Sequence, residues 1–146
     1  MSRLLSRYAE AIYWMARYVE RAENLARILD VNETFSRDSR GWQNWRSILE
    51  LYRDETRFLA EHEEATADAV IYFYTLDQRN VTSIISAVND ARGNARTLRP
   101  LISTEMWIQL NMFSNKLKSM PREELSEPRL ARFCNQVKES CQTHTG

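Results

Sequence analysis

Tyr8, Ile12, Met15, Val19, Ala22, Ala26 and Leu29 recur every three to four positions near the start of the chain. At 3.6 residues per turn such side chains fall on one stripe of a helix, whereas a strand alternates with a period of two. The spacing predicts a helix from Ser6 to about Phe35, about eight turns long, with this stripe in the core. Only three Gly and three Pro interrupt the chain, and apolar–polar alternation is almost absent. The expected fold class is therefore all-α: a helical bundle of five to seven helices with one long N-terminal helix.

The remaining helices follow from the same reading. Gly41 breaks the pattern, and Trp45, Leu49, Tyr52, Thr56 and Leu59 predict a second helix after it. Thr66 is placed to cap a short, very apolar helix through Val70, Phe73, Tyr74 and Leu76, which should lie near the centre. In "LDQRNVTS" the pattern breaks again, and Asn80 or Thr82 can accept the free N–H groups of the next helix. That helix carries Ile84, Ile85, Val88, Ala91, Ala95 and Leu98 inward and ends before Pro100. Ser103 caps a helix bearing Trp107, Leu110, Phe113 and Leu117. Pro121 begins a short turn, and Ser126-Glu127-Pro128 opens a last helix with Leu130, Phe133, Cys134, Val137 and Cys141 inward. Antiparallel neighbours joined by short loops are expected.

The 146 residues fit one domain, 1–146, large enough to bury a real core. Twenty basic and twenty acidic residues cancel, so no overall field gathers nucleic acid or an anionic membrane. No apolar run approaches the roughly 20 residues that span a bilayer, and the start lacks the pattern of a signal peptide, so a cytoplasmic location is expected. Cys134 and Cys141 are seven apart, about 10 Å along one helix face, too far for a mutual disulfide and at no metal spacing. Structural thiols are expected.

Two polar constellations stand out. Around the first helix Trp14, Arg17, Arg21 and Asn24 lie nearly opposite the core stripe, with Tyr13, Glu20 and Arg27 on one shoulder and Ile28 beside them. The aromatic fringe predicts protein on both flanks, with at least some of these charges buried or lying in a cleft and paired through Glu20 with Arg17, Asn24 or Arg27. A solvated face laced with i,i+4 pairs is the plain alternative. In "NDARGNARTLR", Arg92, Arg96 and Arg99 recur at helical spacing and can grip a carboxylate or phosphate. Gly93 within that helix is either tolerated or admits a close neighbour. No Gly-rich phosphate loop, nucleophile elbow or His-Glu metal motif occurs, and His62 and His144 have no evident catalytic partner. No cofactor and no metal are expected.

The stretch "LLSRYAEAIYWMARYVERAENLARILDV" resembles the opening signature of the bacterial alpha-E proteins, helical domains named for a Glu-Arg motif, here Glu20-Arg21. Downstream, "LDQRNVTSIISAVNDARGNARTLRPLISTEMWIQLN" is similar to the family's middle segment: Asp77 and Asn80, then Ala91 to Arg96, then Ser103, Glu105 and Trp107. The resemblance runs from residue 4 to about 111 and departs at Val81, where the family commonly has Pro, and at Gly93, where it has Glu. Members are roughly twice this length, so the chain is expected to match the first half of an alpha-E protein. A self-dimer that pairs two first helices is one way to supply the second half.

The resemblance implies association with ATP-grasp-like ligases and a part in making or modifying peptides. It leaves the catalytic residues unassigned. The first expectation is a non-catalytic helical partner, with Trp14, Arg17, Glu20, Arg21, Asn24, Arg27, Arg92 and Arg96 as binding or interface residues for a ligase or its peptide. The alternative is an enzyme of peptide or amide chemistry, with Glu20 as general base and Arg17, Arg21 and Arg96 holding carboxylates. A third reading makes the motif a structural latch.

Overall fold

A computed structural model of the protein describes residues 2–39 and 43–145, with side chains for all of these but 2, 37–39, 43, 44, 128 and 143–145. Gly41 and the His144 side chain lie outside the described residues. The elements are helices α1 (Ser2–Ser39), α2 (Gln43–Leu51), α3 (Glu55–Leu59), α4 (Ala67–Thr75), α5 (Ile84–Thr97), α6 (Thr104–Ser119) and α7 (Leu130–Thr145). Two 3-10 turns, Arg122–Leu125 and Glu127–Arg129, link α6 to α7. No strand occurs among the described residues, as the period of the apolar pattern required.

The first helix is the spine, and α5 and α7 make its most extensive contacts. α7 runs antiparallel to it: Lys138 meets Asp30 at 3.3 Å, and the Cys141 thiol lies near the Glu23 charge. Ala22 and Ala26 of α1 and Ala87, Ala91 and Ala95 of α5 are all fully buried, small side chains that allow close approach of the two backbones. α6 packs on α5, where the Asn89 side-chain oxygen Oδ1 accepts from the Ser114 hydroxyl at 2.9 Å. α2 packs beside the C-terminal half of α1, and α3 and α4 pack in turn on α2.

The core stripe of α1 is met only in part. Val19, Ala22, Ala26 and Leu29 are buried, but Ile12 is 50% exposed, and Tyr8 and Met15 are half-buried. Ala11 is the first buried residue of the helix. The turns before it carry the same apolar spacing, yet no element of the described structure covers them, so the helix overhangs the bundle.

The caps explain where the other helices begin. Thr66 and Ser103 accept from the backbone N–H groups of Ala69 and Met106, at 3.2 and 3.1 Å, as their positions predicted. α5 corrects the expectation: its cap is Ser83, which accepts from Ser86 N–H at 3.2 Å, while Asn80 ties down the preceding loop. The expected second helix also divides. Arg53 sits in the left-handed region at φ 57, and Asp54 N–H reaches back to the Leu49 carbonyl at 2.8 Å while Arg53 N–H reaches Glu50 at 3.1 Å. This double closure usually uses glycine, so no residue type marks the break between Leu51 and Glu55.

Two stability predictions arise here. A Cβ added at Gly93 would meet nothing within 4 Å, so Gly93→Ala should stabilise the protein by about 0.5–1 kcal/mol, raising Tm by a few degrees. A lower Tm on thermal unfolding would contradict this. Cys134 and Cys141 are free and buried, and burial first, then the Asp30 charge beside Cys134 and the Glu23 charge beside Cys141, pushes both thiols up to about 12. A disulfide probe at pH 8 should therefore label the native protein roughly a hundredfold more slowly than the unfolded one. Equal rates in both states would count against this packing.

Candidate functional site

An open cleft of about 550 Å³ runs beside α1. One wall is α1, with Arg17, Glu20, Arg21, Asn24, Arg27 and Ile28; the other is Tyr52 and Asp54 from the α2–α3 turn, Tyr74 of α4 and Thr82 ahead of α5. The helical spacing of the first set places them on adjoining turns, so one helix supplies a row of cations along the cleft.

The far wall is built by hydrogen bonds. Arg57 donates to Asn80 Oδ1 at 2.7 Å, to Asp54 Oδ1 at 3.0 Å and to Thr82 Oγ1 at 3.3 Å. The Tyr74 hydroxyl donates to the other Asp54 oxygen at 2.6 Å. Burial and this bond to Asp54 hold the Tyr74 hydroxyl protonated, far above the ordinary tyrosine value. Asn80 is 2% exposed; it donates to the Phe73 carbonyl at 2.7 Å and accepts from Thr82 N–H at 3.1 Å. The Tyr52 ring lies 5.5 Å from that of Tyr74, with its hydroxyl also raised by burial and by Asp54. Asp54 is thus held by Arg57 and Tyr74 and is no free anion in the cleft.

The α1 wall is different. Arg17 and Glu20 form a loose pair at 4.0 Å with side chains 58% and 61% exposed, and Arg27 pairs with Glu23. Arg17 lies 6.0 Å from the Tyr13 ring and Arg21 5.5 Å from the Tyr18 ring, in a cluster where Trp14 packs edge-on to Tyr13. Arg21 and Asn24 make no hydrogen bond or ion pair among the described residues. Across the helix pair, Asp90 of α5 has its carboxyl raised by partial burial, with the Arg21 charge pulling the other way.

Of the two expected outcomes, burial or a place in a cleft, the structure has the cleft. Arg17, Glu20, Arg21, Asn24 and Arg27 are all exposed, and Trp14 is 41% exposed. Protein stands on one flank of the row, but the cleft keeps its mouth open to water. The second constellation does not join the first. Arg92 donates to Asn111 and bridges α5 to α6, Arg99 lies 5.2 Å from the Trp107 ring, and Arg96 is exposed away from the cleft. Two of the three arginines at helical spacing are thus spent on separate neighbours. Sequence reasoning missed Tyr52, Asp54, Tyr74 and Thr82, since no spacing connects residues that meet only through tertiary packing.

Fold and cleft together define an all-helical domain built around one long helix that carries a Glu-Arg pair, Glu20-Arg21, at an open groove. The chain belongs to the Alpha-E family, described as a predicted alpha-helical domain with a conserved ER motif, whose model matches residues 4–146. The similarity thus extends past residue 111, through the end of α6 and along α7, and is not confined to a first-half signature. No curated protein and no solved structure matches the chain. No helix among the described residues is long and apolar enough to cross a membrane.

Proposed function

We propose that the protein is a helical partner of a peptide-forming or peptide-modifying enzyme of ATP-grasp type, and that Arg17, Arg21 and Asn24 bind a carboxylate-bearing segment of that enzyme or its peptide. One observation carries the reading: Arg21 and Asn24 face an open cleft with their donors unused among the described residues, beside a wall whose own carboxylate is already satisfied. A guanidinium presents a planar fork that matches a carboxylate, and an amide N–H beside it adds direction. The choice of an ATP-grasp-type partner rests on the family resemblance of the Glu20-Arg21 segment.

Arg21→Ala should weaken capture of the co-expressed ligase or its acidic peptide about tenfold or more, the effect of losing one or two charge-assisted bonds. Arg96→Ala, off the cleft, should leave capture unchanged. No capture by the native protein, or equal loss in both variants, would remove the reading.

The catalytic alternative has less support. Glu20 is 61% exposed and loosely paired with Arg17, where a general base works best held against its substrate in a water-poor site. It also needs Arg96, which does not line the cleft.

A further inference from the structure

The arginine cleft does not end at Arg27. A second groove continues from it along α1, lined by Arg27, Ile28, Val31 and Phe35 on one side and by Ile48 and Leu51 of α2 on the other. Arg27 and Ile28 belong to both. The second groove is almost entirely apolar, and Val31 and Leu51 are 67% and 63% exposed.

Along this joined groove α1 presents Arg17, Arg21, Asn24, Ile28 and Val31, separated alternately by four and three residues. That alternation is the a/d seam on which a second helix packs. Here the seam is divided by charge, with guanidinium groups toward the N-terminal end and aliphatic groups toward the C-terminal end. From Arg17 to Val31 it runs about 21 Å at 1.5 Å per residue, the length of about four helical turns.

We infer that this joined groove seats an amphipathic helix whose own stripe is acidic where it meets Arg17 and Arg21 and aliphatic where it meets Ile28, Val31 and Leu51. The inference rests on the carboxylate-binding reading above and specifies the shape of the segment bound. Charge complementarity selects this occupant over a second copy of the chain. Two α1 helices side by side in the same direction would set Arg17 and Arg21 against their own counterparts. In opposite directions, centred on Asn24, they would press Arg17 against Val31 and strip its water without giving it an anion.

The test uses the full chain and a fluorescent 18-residue synthetic helix with Glu on one half of its stripe and Leu on the other, followed by anisotropy. Saturable micromolar binding is expected. It should fall at least tenfold with Arg17→Glu/Arg21→Glu and recover when the peptide's Glu residues are replaced by Lys. Val31→Glu/Leu51→Glu should also cost at least tenfold; all four positions are exposed, so the fold, checked by circular dichroism, is retained. If a nine-residue acidic half-peptide binds as tightly and Val31→Glu/Leu51→Glu changes nothing, the helical occupant is wrong while the carboxylate-binding cleft survives. Absence of binding by the 18-residue peptide overturns the inference, whatever the ligase capture shows. So does a dimer in sedimentation that both double variants dissociate, since a second copy would then fill the groove.

Discussion

Phe58→Ala is expected to lower the unfolding free energy by about 3–5 kcal/mol, a large share of what a domain this size possesses. Phe58 is fully buried although it belongs to a helix of only five residues. Its ring stacks on His62 at 4.3 Å and meets the Phe73 ring edge-on at 5.2 Å. A helix so short has almost no stability of its own, since nucleation costs more than one turn of hydrogen bonds returns. The ring is therefore what fixes α3, and α3 carries Arg57, which orders Asp54 and Asn80 on the cleft wall. Truncation should both destabilise the chain and loosen that wall. Phe58→Leu, which keeps most of the volume, should cost far less. Urea unfolding of the two variants decides the matter: a loss under 1 kcal/mol for alanine would show that α3 is held by something else.

Asn80→Ala should cost about 2–4 kcal/mol, from groups left without partners rather than from lost volume. The side chain accepts from Arg57 and from both the N–H and the hydroxyl of Thr82, and it donates to the Phe73 carbonyl. Each buried polar group left unpaired costs about 1–3 kcal/mol, and Arg57 retains Asp54 as a partial substitute. Asn80→Asp separates the parts: it keeps the acceptor facing Arg57 and loses the donor to Phe73, so it should fall between alanine and the native protein. An aspartate variant less stable than the alanine one would mean that Arg57 contributes little to this loop.

The loop and the cleft show how far local sequence reaches. Thr66 and Ser103 were legible as caps because capping is settled within four residues. Asn80 looked like a cap for the same reason, yet its amide serves Phe73 and Arg57, residues 7 and 23 positions away. Arg53 hid a helix break because its left-handed conformation is normally marked by glycine, and only the closure onto Leu49 and Glu50 made it tenable here. Arg92, Arg96 and Arg99 looked like one grip, but Asn111 and Trp107 each drew one away as α6 packed on α5.

By itself the sequence determined the all-α class, the long first helix, the inward faces of α5, α6 and α7, and the row of Arg17, Arg21 and Asn24 on one side of α1. These depend on helical periodicity and on short-range capping, which any segment of chain carries within itself. Only the tertiary structure decided that this row opens onto water, that Asp54 and Tyr74 face it, and that an apolar groove extends it to Val31. Burial and the pairing of distant side chains depend on which elements come to lie over a helix and where they stop, and periodicity along one helix contains no record of that.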